Sequence, residues 1–79
     1  MRIDKYLKVS RLIKRRTVAK EACEQGRITI NGRVAKAGSD VSPEDIIEIR
    51  FGNSNIKAKV KYVSETARKE AADEMYELI

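Results

Sequence analysis

Asn31-Gly32 stands between two short runs in which apolar and polar residues alternate, and no other feature restricts the fold of this chain as strongly. Both central residues of a type I′ turn need positive φ, which Asn and Gly adopt at little cost, so "RITINGRVA" predicts a tight β-hairpin with Ile28 and Ile30 on one face. The alternation returns downstream. "DVSPEDIIEIRF" places a turn over residues 42–45, with Pro43 where its fixed φ is useful, and a strand over 46–51. After a turn at "GNSN", the run "IKAKVKYV" puts Ile56, Ala58, Val60 and Tyr62 on one face and Lys57, Lys59, Lys61 and Val63 on the other.

Upstream of the hairpin the period changes to that of a helix. Ile3, Tyr6 and Leu7 share one face of a segment over residues 2–9. A turn over 10–16 adds Leu12 and Ile13. Thr17 is then the expected N-cap of a second helix that runs to about Gln25 and stops at Gly26, with Val18, Ala19, Ala22 and Cys23 facing inward. From about Ser64 a stripe of Ala67, Ala71, Met75 and Leu78 predicts a terminal helix. The expected fold is therefore α+β: an N-terminal two-helix unit packed on a small antiparallel sheet, with a C-terminal helix. With 79 residues, only one hydrophobic core is within reach.

Several classes of chemistry lack their usual tools. There is no histidine, and one cysteine, Cys23, provides neither a disulfide nor a Cys-based zinc site; its plain reading is a small buried hydrophobe beside Ala19 and Ala22. No Gly-rich phosphate loop occurs. The acids of "SPED" read as turn residues and the late acids as a solvated face. No catalytic residue, metal site or cofactor is expected, and no stretch approaches the roughly 20 apolar residues of a membrane span.

Charge is more informative because it is segregated. Residues 1–36 carry a net +8 and residues 37–79 a net −3, together the chain's +5. Lys14, Arg15 and Arg16 fall at the positive end of the second helix, where each cation costs about 0.3 to 1 kcal/mol. Free backbone N–H groups and guanidinium forks at one place form a receptor for phosphate, which offsets that cost when bound. If helical geometry begins at about Arg16, Arg16 and Lys20, four apart, share an edge of that helix. The opposite face is mostly Ala, Val and Cys, without the bulky anchors of a membrane-surface helix. With three Tyr and one Phe there is no stacking platform for bases, so recognition should rest on phosphates and on the shape of folded RNA or a duplex.

The openings "MRIDKYL", "KRRTVAKEACEQG" and "RITINGRVAK" together resemble the RNA-binding domain named after ribosomal small-subunit protein four, the alpha-L motif, over residues 1–50. That resemblance implies an RNA-binding surface of Arg2, Lys5, Arg11, Lys14, Arg15, Arg16, Thr17 and Lys20, with Arg33 and Lys36 as edge contacts. It divides the single domain, 1–79, into an alpha-L-type core over 1–50, a further strand over 51–63 and a terminal helix over 64–79. A free-standing copy is similar to the heat-shock-protein-fifteen group of cytoplasmic, ribosome-associated factors. The partners this implies are large-subunit rRNA, peptidyl-tRNA on an obstructed large ribosomal subunit, and the factor that recruits alanyl-tRNA for tailing of the stalled chain. Two other readings fit the charge: a basic adaptor for an acidic protein surface, and an RNA-binding subunit of an RNA-modifying enzyme.

Overall fold

In the computed structural model, which describes residues 1–64 and 69–79, two helices open the chain: α1 (Ile3–Val9) and α2 (Arg16–Glu24). Strands β1 (Ile28–Ile30), β2 (Arg33–Val34), β3 (Ile46–Phe51) and β4 (Ser54–Val60) follow. The chain closes with a single helical turn, α3 (Lys69–Ala72), a 3₁₀ turn (Asp73–Met75) and β5 (Tyr76–Leu78). All strand pairs are antiparallel, in the order β2-β1-β3-β4-β5.

The hairpin forms as the Asn-Gly pair requires, with φ of 53° at Asn31 and 85° at Gly32, and Ile30 opposite Arg33. Asn31 also ties the turn to the next strand, donating from its side chain to Asp45 and accepting from the Ile46 N–H at 2.9 Å. Register then stacks the apolar set on one face, with Ile28 opposite Ile49, Ile30 opposite Ile47, and Ala58 opposite Ile47 from the other side. Ile28, Ile47 and Ile49 join Ile3, Tyr6 and Leu7 of α1, Ile13 of the connector, and Ala19, Ala22 and Cys23 of α2 in one core, with Ile30 partly buried against it. The residues α2 contributes to that core are small: two alanines and a cysteine. Gly26, at φ 73°, ends α2 in a Schellman arrangement: its N–H reaches the Cys23 carbonyl and the Arg27 N–H reaches Ala22.

Four expectations are corrected. Thr17 does not cap α2. The N-cap is Arg15, in extended conformation, and Thr17 is the second residue of the helix. Val18 is 41% exposed rather than inward, because Ala19, Ala22 and Cys23 centre the buried stripe and leave Val18 about a quarter turn away. Strand β4 ends at Val60, so Tyr62 leaves the inner face and is half-exposed, its hydroxyl donating to the Ala71 carbonyl.

The fourth is the terminal helix. Ala67 lies outside the described residues; beyond it, one α-turn and one 3₁₀ turn give way to β5, which pairs Leu78 with Ala58 and Tyr76 with Val60. The edge of β4 leaves N–H and C=O groups to satisfy, and a strand satisfies them where a helix cannot. Met75 marks the change. Its side chain is fully buried, and its carbonyl accepts from the Tyr6 hydroxyl at 2.7 Å and from the backbone N–H of Lys61 at 2.8 Å. Those two bonds fasten the end of the chain to α1 and to the end of β4.

Candidate nucleic-acid interface

Helix α2 begins without the usual devices. No side chain caps it, its first turn contains no acid, and its first internal bond runs from the Ala19 N–H to the Arg15 carbonyl. The N–H groups of Arg16, Thr17 and Val18 precede that bond and have no intrahelical acceptor. By contrast, the start of α1 is closed by the loop after β2: the Ile3 N–H donates to the Ser39 carbonyl at 2.8 Å and the Asp4 N–H to Ala37 at 3.3 Å. Of the two helix starts, the one surrounded by cations is the open one.

Beside that open end lies a recess of about 300 Å³ lined by Arg2, Asp4, Arg16, Thr17 and Lys20. The structure thus brings together four of the ten residues expected at the site. Arg16 and Lys20 share an edge of α2, as the spacing requires, and Arg2 arrives from the N-cap of α1. Lys5, Arg11, Lys14, Arg15, Arg33 and Lys36 lie outside the lining. Arg11, Lys14 and Arg15 form an exposed basic connector between the helices, and among the described residues none of the three has a carboxylate within 4 Å. Arg33 is exposed on the edge strand β2. Lys36 borders a different groove, with Cys23, Glu24, Gly26, Val34, Ala35 and Ala37.

Arg11 occupies an unusual backbone position. It follows the C-cap Ser10 of α1 at φ 65°, its N–H donating to the Lys8 carbonyl, where a helix stop normally carries glycine. An L-residue there costs roughly 1 to 2 kcal/mol relative to its relaxed conformation.

The residue that sequence reasoning missed is Asp4. It is 2% exposed; one carboxylate oxygen accepts the Lys5 N–H at 2.8 Å, and the other faces Arg2 Nη2 at 3.2 Å and Arg16 Nε at 3.5 Å. The available signal was its isolation: Asp4 is the only acid among the first 20 residues. Cys23 has the packing role expected of it. Burial, with the charges of Asp4 and Glu24 acting in the same direction, pushes its thiol up to about 11, so it remains protonated at neutral pH. Among the described residues there is no group of three or more His, Cys, Asp or Glu placed to hold a metal ion, and no helix long and apolar enough to cross a membrane.

Comparison with known proteins gives a family match at this end of the chain and relatives along its whole length. The S4 domain family is matched over residues 1–47, which contain both helices and the hairpin. The sequence is 60% identical over 78 residues to the RQC P-site tRNA stabilizing factor of Halalkalibacterium halodurans, spanning 99% of this chain and 89% of that protein. It is 58% identical over 79 residues to the protein of the same name from Listeria monocytogenes, spanning 100% and 86%. Among solved structures, the trimeric Heat Shock Protein 15 of Vibrio cholerae superposes with a TM-score of 0.91 at 28% identity, covering 100% of this chain and 81% of the other.

Proposed function

The chain belongs to the S4 domain family, and on that premise we propose that it is a non-enzymatic, cytoplasmic RNA-binding factor that holds P-site tRNA on the ribosome during quality control. The observation that carries this reading is the open start of α2, where free backbone donors, Arg2, Arg16, Thr17 and Lys20 border a recess. A phosphate seated there accepts from the first-turn N–H groups and from the guanidiniums, and it supplies the negative charge that the first turn lacks. In this reading Lys5, Arg11, Lys14 and Arg15 extend the contact along the RNA backbone, with Arg33 and Lys36 as edge contacts. Such contacts position the protein on folded RNA without reading base sequence.

In its finer form the proposal places the protein on the obstructed large ribosomal subunit, where it contacts large-subunit rRNA and stabilises peptidyl-tRNA while an alanyl-tRNA-recruiting factor extends the stalled chain. The names of the relatives at 60% and 58% identity support the tRNA and the quality-control setting. The acidic C-terminal segment either packs on the sheet or faces a protein partner.

Salt titration tests the reading. With about four phosphates neutralised, log affinity for a tRNA should fall with log salt at a slope near −3, and Arg16→Ala should reduce that slope by about 0.7 to 0.9 while weakening binding. A flat salt response, or an Arg16→Ala protein that binds as the parent does, overturns it.

Arg11 separates contact from stability. Arg11→Gly relieves the positive φ but makes the unfolded chain more flexible, so the fold should be unchanged or more stable by up to about 1 kcal/mol. Affinity for tRNA should nevertheless drop severalfold, from the loss of one charge. A thermal melt and a binding curve on the same protein check both outcomes.

A further inference from the structure

A buried acid at the base of an anion-binding recess looks misplaced, because its charge subtracts from the attraction the surrounding cations provide. Yet Asp4 is almost wholly buried while both arginines it faces are about half-exposed, with side-chain exposures of 53% for Arg2 and 47% for Arg16. One oxygen satisfies the Lys5 N–H, and the other is shared by the two guanidiniums. Arg16 meets it through Nε and Arg2 through Nη2, which leaves most of their five donors each directed elsewhere. Long cationic side chains at a surface otherwise sample many rotamers, and every one that must be fixed on binding reduces affinity. An arginine anchored at one edge of its fork presents the remaining donors in a set geometry, which a lysine cannot do.

We propose that Asp4 is a positioning residue for phosphate recognition: its buried carboxylate holds Arg2 and Arg16 so that the recess beside α2 is assembled before RNA arrives. The inference rests on the RNA-binding reading above and deepens it. It reverses the sign expected from charge alone. Asp4→Asn removes one negative charge from the site, so an acid acting only through its charge would, on removal, tighten binding to a polyanion. A positioning acid, on removal, weakens it.

The experiment measures affinity for one purified tRNA at fixed salt, at a temperature where circular dichroism shows each protein folded. Arg16→Ala, Asp4→Asn and the double variant are compared with the full chain. Asp4→Asn is expected to weaken binding about tenfold, the scale of one charge-assisted hydrogen bond, and to cost clearly less in the Arg16→Ala background, where only its hold on Arg2 is left to lose. If Arg16→Ala weakens binding while Asp4→Asn tightens it or leaves it unchanged, Asp4 is structural and this inference falls alone. If Arg16→Ala has no effect, the recess does not bind RNA and both readings fall. Should Asp4→Asn not fold, Arg16→Lys decides: the charge is kept but no Nε remains to be anchored, so a loss close to that of Arg16→Ala supports positioning, and parent-like affinity overturns it.

Discussion

Reversing Lys14 and Arg15 to glutamate is expected to weaken tRNA binding by about 100-fold or more at 0.1 M salt while the melting temperature holds or rises slightly. Both side chains are exposed and, among the described residues, neither has a carboxylate within 4 Å, so the double variant removes no internal contact. Arg15 serves α2 through its backbone, as an extended N-cap that makes no side-chain bond. Any other residue provides that. Negative charge at this end of the helix is favourable, by about 0.3 to 1 kcal/mol per residue, so the apoprotein gains what the complex loses. Each lost phosphate contact removes about 0.7 to 0.9 from the salt slope, which at 0.1 M is a factor of about 5 to 8, and the reversed charges add repulsion of similar size. Titration with tRNA and a melt of the same samples give the two answers. Binding that survives the reversal places the RNA elsewhere on the protein; binding lost together with the fold makes these cations structural.

That opposition between fold and function also explains what the sequence revealed. A cation at a helix start is a local error, and local errors stand out against helix chemistry, so Lys14, Arg15 and Arg16 mark a candidate site in the sequence itself. The hairpin was legible for a related reason: Asn31-Gly32 carries its conformational requirement in two residues. Thr17 misled because a hydroxyl before an apolar stripe is the common signature of an N-cap, whereas here the N-cap lies two residues earlier, at Arg15, and the helix opens on Arg16, whose side chain reaches back to Asp4. No local rule contains that contact, since its partners lie on different helices. Asp4 was visible as the sole early acid, but its burial and its two guanidinium partners depend on how α1 packs against α2.

The C-terminus shows the same limit from the opposite side, and it yields the largest expected loss of stability. Ala71, Met75 and Leu78 keep a spacing that a helix accommodates, yet the structure treats Met75 and Leu78 unequally: Met75 is fully buried in the main core, whereas Leu78 on β5 is 63% exposed. Met75→Ala should cost about 2 to 4 kcal/mol, because the removed atoms leave a cavity among residues held by the sheet and by α1. For a domain of this size that lowers the melting temperature by about 10 to 30 °C. The substitution leaves the Met75 carbonyl and its bonds to Tyr6 and Lys61 in place, so the loss reports packing alone. Leu78→Ala should change stability by only about 0.5 kcal/mol, as exposed substitutions do. A continuous helix docked by its apolar stripe would make the two changes comparable, since both side chains would lie on the buried face. Thermal melts of the pair therefore decide between a helix and the turn-and-strand ending, and equal losses would reject the latter. A large loss confined to Met75 would also establish that this segment, remote in sequence from the basic helices, completes the core on which α1 and its arginine-binding acid are mounted.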